Sequence, residues 1–281
     1  MNYLNFVKFH GIGNDFILID GRKNNLNYKN LASNLCTRHF SIGADGLIVL
    51  EEAKNYNYDY KMRIFNSDGS EAEMCGNGIR TLIHFIKYLQ IDNKMNYRIK
   101  TKAGIIKNEV ISYNNDSSKI KVNMGEAKFH KDKIPVNLDN VSVINDYEVI
   151  INGDKLLLNS VSLGNPHTVV YVNNLNEIPL MSWGKKIENY KIFPEKTNVE
   201  FVEIIDENNL KMRVWERGVG ETLACGTGAC ASAAISAKKG YTSDKINVEL
   251  KGGNLKINIK NDNIYMTGNT KLVYEGKIKI K

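Results

Sequence analysis

Several things are scarce in this chain, and each scarcity removes a class of protein. No apolar run approaches the roughly 20 residues that a membrane-spanning helix needs. The opening MNYLNFVKFHG also lacks the basic-then-apolar pattern of an export signal. Both point to a cytoplasmic protein without a membrane partner. Cysteines number only four and histidines five. No two cysteines fall at C-x-x-C and the histidines miss zinc spacing, so no metal site is expected. In the cytosol the four cysteines read as thiols rather than disulfides. The formal charge of +7 is scattered, with no basic helix or aromatic-interleaved strand to gather it. It therefore reads as solvated surface, and no nucleic acid partner is expected.

Bulk composition is ordinary: 42% hydrophobic and 25% charged residues describe a soluble globular protein, and 281 residues can bury two modest cores. The unusual stretch is residues 220–235, GETLACGTGACASAAI. Cys225 precedes Gly226-Thr227-Gly228 and an alanine-rich run that reads as helix. A Gly-x-Gly turn at a helix start leaves peptide N–H groups unpaired, and the helix dipole favours negative charge there. A thiol so placed is expected to ionise more easily than free cysteine.

The same device occurs twice. Residues 61–78 read KMRIFNSDGSEAEMCGNG and residues 211–228 read KMRVWERGVGETLACGTG. A single shift of 150 residues superposes Cys75 on Cys225, Lys61 on Lys211 and Glu71 on Glu221. Gly13-Asn14 echoes Gly164-Asn165 in the same order. A period that long excludes a solenoid and fits a duplicated domain. The remaining cysteines differ in setting: Cys36 lies in the amphipathic run LASNLCTRH and Cys230 inside the alanine-rich helix, so both read as core filler. Only Cys75 and Cys225 are expected to be exposed.

Along the chain, FVKFHGIGNDFILID reads as a hairpin with its polar tip at Asn14 and Asp15. Strands are expected at 58–65 and, in the second copy, in HTVVYV, TNVEFVEII and LKMRVWE. After Cys75, GIRTLIHFIKYLQ reads as a helix with Ile79, Leu82, Ile83, Ile86 and Leu89 on one face, wrapped by sheet on most sides. A second-copy helix is expected near 182–190, capped by Ser182. The predicted class is α+β: two pseudo-symmetric domains, each a curled, mainly antiparallel sheet around a central helix. The halves are placed at 1–125 and 126–269, with the tail 270–281 returning to the first domain's sheet.

Two cysteine-capped helix ends facing one another would suit an amino acid. Its carboxylate would sit on the N–H groups of the glycine turns, where charge also develops when the Cα proton leaves. One sulfur could take that proton and the opposite one return another to the other face, which is racemase or epimerase chemistry. No lysine setting suggests a Schiff base, so no cofactor is expected.

HGIGNDF, RHFSIGADG, FNSDGSEAEMCGNGIR, GNPH and ERGVGETLACGTGACAS, in that order along the chain, closely resemble the diaminopimelate epimerase family. The resemblance implies the paired-domain fold and interconversion of LL- and meso-2,6-diaminopimelate in lysine and peptidoglycan precursor biosynthesis, without cofactor. It implies Cys75 and Cys225 as the acid/base pair, with His167 and Glu216 auxiliary. Asn14, Asn66, Gly76, Asn77, Asn165, Asn198, Glu216, Arg217, Gly226 and Thr227 match positions that bind substrate in the family. Arg217 suits a distal carboxylate held in a forked pair. Some relatives carry glutamine where this chain has Gly46, so that contact is not carried over. A homodimer is left open.

Two other readings compete. A related racemase of proline, hydroxyproline or histidine is disfavoured because the proline-racemase pattern has histidine at Asn77 and Ser-Pro at Leu223-Ala224. A non-catalytic amino-acid-binding protein is disfavoured by retention of both cysteines.

Overall fold

The structure, a computed structural model, describes residues 2–23, 26–139 and 141–280, so Lys281, the last residue of the expected returning tail, lies outside it. The chain divides into two compact units, Met1–Asn123 with Thr267–Lys281, and Met124–Met266.

In the first unit, β1 (Asn2–Gly11) and β2 (Asn14–Asp20) form an antiparallel hairpin. Its tip is Ile12-Gly13, both at positive φ (50° and 90°), as a tight two-residue turn requires. Asn14 and Asp15 therefore open the second strand instead of forming the tip. Helix α1 (Tyr28–Leu35) leads to β3 (Gly46–Glu52), parallel to β2, and β4 (Tyr60–Asn66) runs antiparallel to β3. The short β5 (Glu71–Ala72) returns along β4 and delivers the chain to α2 (Gly76–Tyr88). Next come β6 (Asn96–Thr101), parallel to β4, then β7 (Gly104–Tyr113) and β8 (Ser117–Glu126).

Helix α2 is buried from Gly76 to Ile86. Ile79, Leu82, Ile83 and Ile86 are wholly enclosed, as the apolar spacing predicts. Leu89 is not on that face. It caps the C-terminus and is 38% exposed, because the chain turns away at Gln90 with φ 53°.

The second unit repeats the scheme. After β9 (Tyr147–Ile151), β10 (Asp154–Ser162) and β11 (Pro166–Tyr171) form the hairpin. Helix α3 (Leu180–Glu188) crosses to β12 (Asn198–Asp206), parallel to β11. Strand β13 (Asn209–Glu216) runs antiparallel to β12, and β14 (Gly220–Thr222) returns along β13 into α4 (Gly226–Lys238). Then β15 (Lys245–Leu250) lies parallel to β13 and pairs with β16 (Gly253–Lys260). Helix α4 is buried along most of its length, and its alanines allow strands to approach closely. The long β17 (Asn263–Ile280) leaves the second unit and pairs antiparallel with β1, from His10↔Lys271 to Asn2↔Ile280.

One cap differs from expectation. Helix α3 starts at Leu180 behind Pro179, which makes no side-chain cap. Ser182 lies inside the helix, where its hydroxyl accepts from Asn152 Nδ2 at 2.8 Å. Pro179, with its fixed φ, starts the helix in place of a hydroxyl cap. Among the described residues no helix is long and apolar enough to cross a membrane.

The returning tail is tied to α2 by a buried histidine. His84 Nε2 faces the Asn115 carbonyl at 3.2 Å and must donate to it, so Nδ1 accepts from the Thr270 hydroxyl at 2.6 Å. Burial holds this ring neutral, with its pKa lowered to about 4. The unfolded chain takes that proton near the ordinary value of about 6.5. Stability is therefore complete above that value and falls as pH drops towards about 4, by about 3 kcal/mol. Urea unfolding across this window should show the loss, and His84→Gln should show less of it. The loss from Asp59 and Glu71, each held down at about 2 by its cationic partners, comes in a separate and more acidic window.

Candidate active site

Cys75 is the N-cap of α2, in extended conformation (φ −142°, ψ 119°), and its Sγ accepts from the Gly78 N–H at 3.4 Å. The thiol also reaches Asn14 Oδ1 at 3.8 Å. That oxygen accepts from Asn77 Nδ2 at 3.2 Å, while Asn14 Nδ2 donates to Asp45 Oδ2 at 2.7 Å. Arg80, wholly buried one turn along α2, donates to Asn77 Oδ1 at 2.9 Å and to the Gly76 carbonyl at 3.1 Å. Arg80 and Asp45 were not found from the sequence. Arg80 holds the cysteine turn by its amide and its carbonyl, and Asp45 holds Asn14 against it.

Asn66 stands apart from that hydrogen-bonded chain: it is exposed and donates to Ser70 Oγ at 2.9 Å. Gly46 lies opposite it in the β3–β4 ladder. A Cβ at Gly46 would meet the Phe65 carbonyl oxygen at 2.7 Å, so any side chain here forces the backbone to shift. Gly46→Gln should lower stability by about 1–3 kcal/mol without improving KM, read by thermal melting and steady-state kinetics.

In the second unit Cys225 repeats the geometry. It caps α4 with φ −124° and ψ 111°, its Sγ accepts from the Gly228 N–H at 3.3 Å, and Thr227 Oγ1 lies 3.5 Å away. Its environment differs from expectation, because Cys225 is buried. Burial raises its thiol well above the ordinary cysteine range, and the negative charges of Glu216 and Glu200 add to the effect. The expected acidification fails on magnitude. A helix end contributes about 1 kcal/mol or less, whereas full burial moves a pKa by up to several units. Glu216, at the end of β13, accepts from the Thr222 hydroxyl. Burial pushes its carboxyl up, opposed by the Thr222 hydrogen bond and the nearby His167.

His167 is wholly buried between two acceptors, Glu200 Oε1 at 2.7 Å from Nδ1 and Asn165 Oδ1 at 3.1 Å from Nε2. Asn198, opposite His167 in the parallel ladder, donates to the Pro166 carbonyl at 2.9 Å and accepts from the Arg217 backbone at 3.0 Å. It braces the start of β11 against the loop after β13. The Arg217 side chain is exposed, with Nη1 on the Glu195 carbonyl at 3.0 Å. Glu200 is a further residue that sequence reading missed.

Cys36 and Cys230 are core residues, as read. Burial pushes the Cys36 thiol up to about 12, and Cys230 is wholly enclosed in α4.

The sequence model of the diaminopimelate epimerase family matches residues 6–130 and 159–273. A diaminopimelate epimerase of Halothermothrix orenii is 49% identical over 280 residues, covering 99% of both chains. One of Methanococcus maripaludis is 45% identical over 280 residues, covering 99% of this chain and all of its own. Among solved structures, a phenazine biosynthesis protein of the PhzF family from Bacillus anthracis matches all of both chains with a TM-score of 0.74 at 18% identity. A hydroxyproline epimerase of Agrobacterium vitis, with bound trans-4-hydroxy-L-proline, matches with a TM-score of 0.74 at 13% identity, covering 98% of this chain and 92% of its own. Those distant structures share the fold, an α+β architecture in which each unit sets a sheet around a buried helix. The match to the family model over both halves and the near-full-length identity to its members decide the narrower question: the chain belongs to the diaminopimelate epimerase family.

Proposed function

We propose that this protein interconverts LL- and meso-2,6-diaminopimelate by moving a proton at one α-carbon, using Cys75 and Cys225 on its opposite faces and no cofactor. The observation that carries this reading is the repetition of one device. Two cysteines 150 residues apart share one backbone conformation and cap two 13-residue helices, each sulfur accepting the N–H of the second glycine of its Gly-x-Gly.

In this reading one sulfur, as thiolate, takes the Cα proton and becomes a thiol. The electron pair left behind spreads into the carboxylate, held by the N–H groups of Gly76, Asn77, Gly226 and Thr227 at the helix ends. The opposite thiol then gives its proton to the other face and becomes the thiolate. Each sulfur in its charged form is met by a glycine N–H and a helix dipole, which lowers the cost of the exchange. Asn14, Asn66, Asn165 and Asn198 orient the zwitterionic groups, and Glu216 accepts from the α-ammonium while His167 supports it. Arg217 spends one guanidinium nitrogen on Glu195, and its remaining donors suit the distal carboxylate. Such a reaction belongs in the cytoplasm with a small-molecule substrate, in a monomer or a homodimer.

The test is chromatographic. Purified protein without added pyridoxal phosphate is incubated with LL-diaminopimelate, with proline, hydroxyproline and histidine as controls. Formation of the meso isomer with the controls unchanged supports the reading. Racemisation of a control without conversion of diaminopimelate overturns it.

A further inference from the structure

The site holds a buried carboxylate that the proposed reaction does not use. Glu200 is wholly enclosed in β12, and its Oε2 has no hydrogen-bond partner among the described residues. Its Oε1 faces His167 Nδ1 at 2.7 Å, and a Cβ added at Gly228 would lie 2.6 Å from the same oxygen. The glycine at the third position of α4 therefore makes room for this carboxylate.

The proton count along this line of atoms is fixed by its ends. Glu200 Oε1, His167 Nδ1, His167 Nε2 and Asn165 Oδ1 run in sequence, and the two gaps need one hydrogen each. Asn165 Oδ1 is an acceptor only, so Nε2 must carry a hydrogen. The second hydrogen lies between Nδ1 and Oε1. Whichever atom holds it, the pair is neutral overall, which is what burial of an otherwise half-paired carboxylate demands. Fixing Oδ1 of Asn165 also fixes its other end: Nδ2 makes no hydrogen bond among the described residues and is left as a donor.

We infer that Glu200 is a positioning residue: through His167 it sets the amide orientation of Asn165, so that Asn165 presents its NH2 group to an anionic group of the substrate. The identity of that substrate rests on the function proposed above, but the hydrogen-bond chain does not. The same carboxylate group that adds negative charge near Cys225 thus has a structural task on its other side.

Two substitutions separate this role from simple packing. In Glu200→Gln the amide NH2 can donate to a bare Nδ1, which keeps the hydrogen on Nε2 and the bond to Asn165. In Glu200→Leu, Nδ1 faces an apolar group, and ring and amide are free to reorient. Nitrogen-15 NMR of the His167 ring at about pH 7 is expected to show Nε2 protonated in wild type and in Glu200→Gln. It should show mixed tautomers or a shifted ring in Glu200→Leu. KM for diaminopimelate should rise about tenfold in Glu200→Leu and stay within about threefold in Glu200→Gln. A bare Nε2 in the wild type overturns the inference, as does a Glu200→Leu variant with wild-type His167 signals. Lack of turnover of diaminopimelate by the wild type would overturn the proposed function and leave the NMR outcome to decide this one. If Glu200→Leu does not fold, the wild-type and Glu200→Gln spectra still decide it.

Discussion

Cys75→Ala and Cys225→Ala should each lower epimerisation of diaminopimelate by at least about a thousandfold. On the proposed mechanism each variant keeps one acid/base group and loses the one that would serve the opposite face, so neither direction can be completed. The fold should survive. The lost sulfur cap costs about 1 kcal/mol, and the remainder of each helix N-terminus stays anchored. On the Cys75 side that anchor is Arg80, which grips the Gly76 carbonyl and the Asn77 amide. Serine variants divide cap from chemistry. A hydroxyl restores the acceptor for Gly78 or Gly228, but it is a far weaker acid than a thiol and should not restore turnover. Thermal melting close to wild type together with lost turnover is the expected pair of results. A cysteine whose alanine variant retains near-wild-type turnover has no place in the proton transfer.

The second large effect concerns Cys225 itself. In the free enzyme its alkylation should titrate at a midpoint above the free-cysteine value of about 8.5, because burial and two nearby carboxylates raise its pKa. At about pH 7 each unit of that rise removes about tenfold of the thiolate. The midpoint, followed by mass spectrometry of the Cys225 peptide across pH, separates acidity from access, since burial slows alkylation at every pH alike. Glu216→Gln removes a negative charge from beside the thiol and should move the midpoint down. A wild-type midpoint below the free-cysteine value would contradict the electrostatics described for this site. The same field explains how substrate changes the thiol. On the proposed function, an α-ammonium accepted by Glu216 would bring positive charge to offset the carboxylates, and Cys225 should ionise more readily with substrate bound.

What could be read in advance follows from how local each signal is. The helices after Cys75 and Cys225 were visible because glycine turns, apolar spacing and the shift of 150 residues all act within short segments. The acidity of Cys225 differs from the sequence expectation for the same reason: a local view includes the helix end and omits both burial and the carboxylates delivered by β12 and β13. Glu200 went unnoticed within NVEFV, where it looks like one polar position of an ordinary strand. Its burial depends on β11 and β12 pairing in parallel, with His167 opposite Asn198, and no local pattern sets that register. Arg80 lies within the motif FNSDGSEAEMCGNGIR, but its grip on Asn77 depends on the burial of that helix.

The measurement that bears most directly on two sulfurs serving one carbon is the first turnover of LL-diaminopimelate in deuterium oxide. Two bases predict that the meso product carries solvent deuterium at the inverted carbon, while LL substrate recovered early retains its Cα hydrogen. A single base working on both faces would return its proton to either side. Early washout of hydrogen from unconverted LL substrate, or transfer of the original hydrogen into the meso product, would contradict the account.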